Sequence, residues 1–430
     1  MKFLEHVRFL ALFFGCVVAL QASAQFNFDA SIRPRAEYRY GYKRLAQNDL
    51  DPVFIVTQRS RLGGTFKSDR ITLRLSIQDV RVWGDESLTS GSGVFGDEAS
   101  IDVAEAWVKY QANSHFSVVA GRQALALDDE RLLASRNWNQ HALFYDAVLM
   151  TYASGRTTVK AGASYNNQAD VLFREPYSPN KMKALGFVHL NQKYASGLSL
   201  SCIALASSFT QTDTTLSVFS KLTSGIMLEY RRASFSFMSS FYYQFGKQVN
   251  SGQILDANAY NINLKGKYER SRYAVELGFT LLSGDKSGDT QAGKTHLFDL
   301  LYGARHRYYG YLDYFNNLGS ATGRGGLNDG FVMFNYSLNE KVHAFVHYHL
   351  FYLNKLPVAL QSPTGEASAS LYLASEFDLG VQMNYKDYVS LQTGYSFMLP
   401  GEQMKKLQHI SGNSPFSSWV WLMITVSLKS

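Results

Sequence analysis

Apolar and polar residues alternate along most of this chain. The stretch from Phe26 to Tyr40 shows the pattern most clearly, since every second residue is apolar or aromatic and the residues between carry acids, amides and arginines. Successive side chains of a strand point to opposite faces, so this period of two predicts a strand with one apolar and one polar face. The stretch is longer than the about 9–11 tilted residues that cross a bilayer. We therefore expect its apolar face to meet lipid and its arginine face to line a lumen.

The alternation recurs in eighteen segments, which predict an all-β fold: a transmembrane antiparallel β-barrel of about 18 strands. Links after even-numbered segments are short and polar, whereas links after odd-numbered segments are mostly longer and rich in Gly, Asp, Asn and Ser. Short turns on one side and long loops on the other are typical of bacterial outer-membrane barrels. The segments are residues 26–40, 53–66, 71–83, 101–112, 115–125, 143–153, 157–166, 183–194, 198–209, 219–231, 234–247, 257–269, 272–284, 330–338, 341–353, 371–385, 388–398 and 417–428.

The start of the chain has the form of a secretory signal. A basic beginning, an apolar middle and the small-residue sequence Ala22-Ser23-Ala24 predict a signal peptide over residues 1–24. Residues 25–430 would then form a single barrel domain in the outer membrane of a Gram-negative cell. The alternative is a lipoprotein with lipid on Cys16, but this would leave an apolar core of only Phe9 to Phe14.

The charge balance indicates an anionic partner. The net charge is +7, and without residues 1–24 it is +6, from 40 basic and 34 acidic residues. Nucleic acid is not expected as a partner because the basic residues are interleaved in strands and form no patch or tail. The remaining chain has one cysteine, Cys202, so it forms no internal disulfide.

The inward arginines of the first strands are the main functional signal. Cations in a water-filled lumen bind carboxylates or phosphates weakly and repeatedly, which favours the passage of anions. The alternative is that each arginine pairs with a carboxylate and stiffens the wall. Later strands place Glu276, Glu376 and Asp378 inward. The predicted pore-lining arginines are Arg33, Arg35, Arg39, Arg59, Arg61 and Arg74.

Other motifs give weaker signals. Residues Gly91 to Gly96 match the dinucleotide fingerprint G-x-G-x-x-G, but no strand precedes them and no helix follows. His343, His347 and His349 share one strand face, which we interpret as lumen-facing polar side chains and not as a metal site. The sequence has no nucleophile elbow and no H-E-x-x-H motif, so no enzyme, metal or cofactor is expected.

Three groups of residues together resemble the alginate export family of outer-membrane barrels. The first is Arg59-Ser60-Arg61-Leu62-Gly63. The second runs from Gly121-Arg122-Gln123 through Asp128-Asp129-Glu130-Arg131-Leu132 and Trp138-Asn139-Gln140 to Phe144-Tyr145-Asp146-Ala147. The third runs from His306 through Gly310-Tyr311-Leu312-Asp313-Tyr314-Phe315 to Gly326-Leu327. The resemblance spans most of the chain after residue 24, and it does not specify the polymer.

The resemblance implies an eighteen-stranded barrel with an electropositive constriction through which an acidic polysaccharide leaves the periplasm. By position in the motif, five residues would belong to that constriction, namely Arg122, Asp129, Glu130, Arg131 and Asp146. From the residues themselves, a loop 126–142 folded into the lumen could place Arg131 and Arg136 beside the strand ends. The family is described with a long periplasmic gating loop, whereas the short-side turns here are brief. The long segment 285–329 on the other side is therefore expected to act as a lid.

We therefore predict a monomeric barrel that passes anionic solutes passively, with outer-membrane lipid and an anionic polysaccharide or small anionic solute as its partners. Export of an acidic polysaccharide such as alginate is the first expectation. A general or anion-preferring diffusion porin for small solutes is the main alternative. A structural or adhesive barrel and an outer-membrane enzyme are further alternatives. The sequence identifies no periplasmic partner and no direction of transport.

Overall fold

A computed structural model describes residues 25–86, 99–179, 181–361 and 370–429. The predicted signal peptide, the alternative lipid site at Cys16 and the Gly91 to Gly96 motif lie outside these residues. Within them, eighteen long strands form one antiparallel sheet that closes when the last strand pairs with the first. The predicted barrel and its strand number are therefore confirmed.

The observed strands agree closely with the predicted segments. Their bounds, in chain order from β1 to β18, are Gln25–Tyr40, Val53–Ser68, Ile71–Val82, Ala99–Gln111, Phe116–Gln123, Tyr145–Ser154, Thr157–Tyr165, Ala184–Lys193, Leu198–Thr210, Val218–Arg232, Phe235–Asn250, Gln253–Arg270, Tyr273–Leu282, Leu327–Ser337, Val342–Tyr352, Tyr372–Lys386, Val389–Pro400 and Ser417–Lys429. A two-residue strand, Lys294–Thr295, adds a parallel pairing to β12.

In the parts of the chain that the structure describes, helical structure is confined to short segments in the loops. The α-helices are α1 (Leu318–Ala321) and α2 (Glu402–Leu407), and the 3-10 helices are Arg305–Arg307, Tyr314–Asn316 and Val358–Leu360. Among the described residues, no helix is long and apolar enough to cross a membrane.

The alternation of side chains separates a lipid face from a lumen face. On β3, Leu73, Leu75 and Ile77 are exposed on the outside, whereas the alternate residues Ser76 and Gln78 are buried on the inside. The exposed apolar residues match the lipid-facing surface that a membrane barrel requires, because the hydrocarbon interior offers no partner for polar groups. The buried polar residues face a lumen that is filled, in part, by the loops.

Candidate functional site

Two loops fold into the lumen. The first lumen loop, residues 124–144, joins β5 to β6, and the second lumen loop, residues 283–326, joins β13 to β14. They meet in a short parallel bridge between Leu133 and Tyr302. Their apolar side chains are buried with inward residues of the wall in one hydrophobic cluster. The expectation that the first loop enters the lumen holds. The second loop also lies inside the barrel, where it forms part of this core.

Ion pairs and hydrogen bonds fix the second lumen loop to the wall. The buried ammonium of Lys221 on β10 donates to the Asp299 carboxylate. The Gln244 side chain of β11 bonds Asp299 twice, donating to its carbonyl at 2.9 Å and accepting from its N–H at 2.8 Å. These contacts hold the loop at a fixed position beside the passage.

Arg33 attaches the first lumen loop to the opposite wall. Its buried guanidinium donates to the carbonyl oxygens of Asn137 at 2.7 Å and Asn139 at 2.9 Å. It also donates to Gln140 Oε1, at 3.1 Å from Nε and 2.9 Å from Nη2. Arg33 on β1 therefore makes several of the hydrogen bonds that hold the tip of the loop.

The neighbouring arginines continue this contact. Arg59 donates from Nη1 to Asn137 Oδ1 at 3.0 Å. Arg35 donates to the Trp138 carbonyl at 3.3 Å and lies over the Trp138 ring, 5.3 Å from its centre. Arg35 also forms an ion pair with Glu37 at 2.9 Å. Three of the six predicted arginines thus converge on residues 137–139.

Arg39, Arg61 and Arg74 lie inward as predicted but have other partners. Arg39 pairs with Glu37 at 2.9 Å, and Arg61 donates to Gln78 Oε1 at 2.8 Å. Arg74 forms ion pairs with the carboxylates of Asp29 and Glu105, the latter at 3.3 Å. The wall-stiffening alternative therefore describes Arg74 and Arg39 well, whereas Arg33 and Arg59 bond mainly to uncharged groups.

The tip residue Asn137 stands between two cavities. An outer cavity of about 360 Å³ lies between the two lumen loops, and an inner cavity of about 610 Å³ opens toward the short turns and includes Arg61, Arg74 and Lys67. Asn137 lines both cavities. Its contacts with Arg33 and Arg59 therefore lie at the boundary of the two cavities, which we call the constriction.

Three of the five residues that the resemblance places at the constriction, Asp129, Glu130 and Arg131, lie in the first lumen loop. Arg131 is buried, pairs with Asp129 at 3.2 Å and lies over the Tyr308 ring at 3.9 Å. Glu130 accepts from the Ser135 N–H at 3.2 Å and lies 3.8 Å from Arg307. Asp129 and Arg131 therefore join the two loops, and only Glu130 faces the outer cavity.

Arg122 and Asp146 require a correction. The resemblance placed them in the constriction, but they pair in register on β5 and β6 and form a 3.1 Å ion pair on the outer face of the barrel. Asp146 shares its face of β6 with the exposed side chains of Val148 and Met150. The parity of the strand decides this, because alternate residues must face opposite sides.

Buried acidic residues and histidines form a cluster on the lumen wall. The sequence predicts that Glu376 and Asp378 face inward, but it does not predict the cluster. His349 pairs with Asp329 at 3.0 Å, and the fully buried Glu376 accepts the Leu312 N–H of the second lumen loop at 2.7 Å. His347 lies directly opposite Asp378 on the neighbouring strand. The inward faces of these residues were predicted correctly. Their proximity depends on the strand register, which a single strand pattern does not reveal.

One group of residues has metal-ligating side chains. Asp285, Asp289 and His296 bring their ligand atoms within 4.8 Å of one another. Asp285, however, forms an ion pair with Arg324 at 2.7 Å, and Asp289 bonds His296 at 2.9 Å. The Arg324 guanidinium repels a cation, and the ligand atoms already have hydrogen-bond partners. We therefore interpret the three residues as a structural contact within the second lumen loop.

Burial perturbs the charged groups of the loops. It lowers the pKa of Arg136 to about 10, with repulsion from Arg305 as the next cause, and burial likewise lowers the pKa of Arg305. Burial alone would raise the pKa of Asp313, but contacts with His306 and Tyr42 outweigh it and hold that pKa below its ordinary value. The outer cavity therefore contains the hydrogen-bonded carboxylate of Asp313 and two guanidinium groups, those of Arg136 and Arg305, whose charged form is disfavoured by burial.

Comparison with known proteins agrees with this architecture. A family model described as alginate export matches residues 24–170 and 190–416. No curated protein matches the sequence. Among solved structures, OccAB1 of Acinetobacter baumannii is 12% identical with a TM-score of 0.62, covering 95% of this chain and 99% of that chain. OccAB4 of the same organism is 13% identical with a TM-score of 0.60, covering 94% and 98%.

The OpdK structure from Pseudomonas aeruginosa with vanillate is 12% identical with a TM-score of 0.58, covering 94% of this chain and 99% of that chain. At such identities these likenesses show the fold alone, which is that of an outer-membrane porin. The family match extends over most of the sequence and includes the loop that carries Arg131 and Trp138. The protein therefore belongs to the alginate export family and has the fold of outer-membrane porins.

Proposed function

We propose that this barrel lets small anionic solutes diffuse passively through the outer membrane, along the path from the outer cavity past Asn137 to the inner cavity. The observation that carries the proposal is the constriction itself. Arg33, Arg35 and Arg59 meet there, and carbonyl and amide oxygens of residues 137–139 occupy their donors.

These oxygens are weak substitutes for an anion. A guanidinium attracts a carboxylate by opposite charge and often binds it through two parallel N–H···O bonds, which a single neutral carbonyl or amide oxygen does not offer. A passing carboxylate can therefore take over a donor from Asn137, and the amide can displace it again when it leaves. Such exchange gives a binding step that is favourable enough to admit an anion and weak enough to release it.

Small solutes suit this passage better than a polymer. Arg33 holds the loop tip across the lumen with several hydrogen bonds, so a long chain would have to displace the loop. The OpdK structure contains vanillate, a small carboxylate. One copy closes its own ring, which supports a monomeric channel.

Export of an acidic polysaccharide is the second candidate, and the family match favours it. It requires the first lumen loop to leave the constriction while the chain passes. Disulfide cross-linking would test this step, with Asn139 and Thr57 both replaced by cysteine, since both lie beside the Gln140 anchor.

The main test is single-channel current in a planar bilayer under a salt gradient. Purified protein should give an anion-selective reversal potential, and Arg59→Gln together with Arg33→Gln should reduce that selectivity. Galacturonate monomers should then carry measurable current, while long polyuronates should not pass. An unselective current would refute the proposal. A polyuronate that passes only when the loop is not cross-linked would favour polymer export.

A further inference from the structure

The outer cavity contains two arginines without an acidic partner among the described residues. Arg136 donates to the carbonyl oxygens of Tyr302 at 3.2 Å and Gly303 at 2.9 Å. Arg305 donates to the carbonyl oxygens of Leu301 at 2.7 Å and of Asn316. The Arg305 Nε is buried and has no hydrogen-bond partner in the described structure. Both guanidinium groups thus retain their positive charge without compensation by an ion pair.

The nearby carboxylates are already engaged. Glu130 accepts from the Ser135 N–H and lies 3.8 Å from Arg307. Asp313 is bonded by His306 Nδ1 at 2.9 Å and by the Tyr42 hydroxyl at 2.6 Å. Asp299 attracts Arg305 electrostatically, but its carboxylate is paired with Lys221. The cavity lining has three arginines against two carboxylates, so it has an excess of positive charge that an external anion would balance.

The uncharged lining indicates what kind of anion fits. Ser135, Asn139 and Asn316 line the cavity with groups that can exchange hydrogen bonds with hydroxyl groups. Trp138 is the aromatic platform of the cavity, but His306 stacks on it at 4.5 Å and Arg35 lies over it at 5.3 Å. An aromatic ligand would find little open ring surface, whereas a ligand with several hydroxyl groups would find partners.

We propose that the outer cavity is a binding site for a small hydroxylated carboxylate, whose carboxylate is held by Arg136 and Arg305. This inference rests on the proposed function, because the site would load a solute before it reaches the constriction at Asn137. Arg307, which is largely exposed, guides the carboxylate inward by its charge. The hydroxyl groups bond to the amide and hydroxyl side chains of the lining.

The test is calorimetric titration of the purified full-length protein in detergent with D-galacturonate. Benzoate and neutral galactose serve as comparison ligands that lack the hydroxyl groups and the charge, respectively. We expect galacturonate to bind at least about tenfold more tightly than either, a difference of about 1.4 kcal/mol or more. Equal affinity for benzoate would overturn the proposed ligand class, and no binding of any anion would overturn the site.

Two variants separate binding from structural damage. Arg136→Lys keeps a charge but loses the planar group of donors, and it should weaken binding by about tenfold. Glu130→Gln keeps an acceptor for the Ser135 N–H and removes a competing negative charge, so it should tighten binding. A gain of affinity cannot result from a loosened loop. Arg270→Ala, an exposed arginine at a short turn, is the matched control and should leave the affinity unchanged.

The outcomes also distinguish this site from the proposed function. If Arg136→Lys and Glu130→Gln leave the galacturonate affinity unchanged while the salt current stays anion-selective, the proposal of a binding site in the outer cavity is wrong. The proposal of an anion channel then remains valid. If both variants change binding as expected but the current is unselective, the site stands and the channel proposal fails.

Discussion

Arg33 and Gln140 are 107 positions apart in the sequence, yet the Arg33 guanidinium donates twice to Gln140 Oε1, at 3.1 and 2.9 Å. Gln140 in turn donates to the Thr57 hydroxyl at 3.0 Å. A strand at the start of the chain thus determines where the first lumen loop lies.

Arg33→Gln should release the loop tip. The substitution removes the cation that several carbonyl oxygens share, and each buried acceptor left without a partner costs about 1–3 kcal/mol. We expect lower thermal stability, noisier single-channel currents and weaker anion selectivity. Arg270→Ala is the matched control. Quiet, fully selective currents from Arg33→Gln would show that the loop is held by its apolar contacts alone.

Asn137 should control the constriction by its charge. Asn137→Asp places a carboxylate beside Arg59, where the amide oxygen now accepts at 3.0 Å. The new ion pair should occupy the donor permanently and lower the anion-to-cation permeability ratio by several-fold. Asn137→Ala, which frees the same donor, should raise the ratio. Reversal potentials of both variants measure this, and shifts of the same sign would contradict the exchange of Arg59 donors.

Lys221 and Asp299 should stabilise the barrel as a pair. Removing one partner of a buried ion pair typically costs about 3–5 kcal/mol, and the cost should be larger for the loss of Asp299, which leaves the buried Lys221 charge unpaired, than for the loss of Lys221, because the Asp299 side chain is 32% exposed. Lys221→Met and Asp299→Asn should each lower the unfolding temperature. The double variant should lower it by less than the sum of the two single decreases. Heat-dependent gel mobility provides the measurement. Additive losses would mean that the two side chains do not interact.

Acid should loosen the contact that Asp313 of the second lumen loop makes with Tyr42, in the segment after β1. Its pKa is lower in the folded protein than in the unfolded chain, so the contact contributes stability above the unfolded pKa. That contribution disappears as the pH falls through the folded pKa, below its ordinary value of 3.8. Wild-type channels should lose stability in this acid range more steeply than Asp313→Asn. Parallel pH profiles would contradict the assignment.

The outward Arg122 offers a test of strand parity. Arg122→Ala should leave ion selectivity unchanged, because its guanidinium pairs with Asp146 on the lipid face. Arg59→Gln, which removes an inward arginine, should reduce the anion selectivity. Reversal potentials under the same salt gradient compare the two variants directly. A loss of selectivity in Arg122→Ala would place that side chain in the passage.

The sequence allowed the wall to be predicted better than the lumen. Alternation reports which face each residue of a strand occupies, so Arg33 and Glu376 could be placed inward without knowing their neighbours. Loop positions depend on tertiary contacts such as that of Lys221 with Asp299, which lie far apart in the chain. The family pattern predicts the role of Arg122 from its position in the motif alone, whereas the parity of its own strand places the side chain on the outer face.

The closure of β1 on β18 has a consequence for how the protein is made. Tyr38 pairs with Val420. The backbone N–H and C=O groups on this edge of β1 therefore have no partner until β18 has been added. Contacts so distant in sequence slow folding, because the intervening chain must be ordered first. Until that moment both edges can bind foreign strands. Assembly should therefore depend on factors that shield the first and last strands, and a short peptide copying β18 should arrest it.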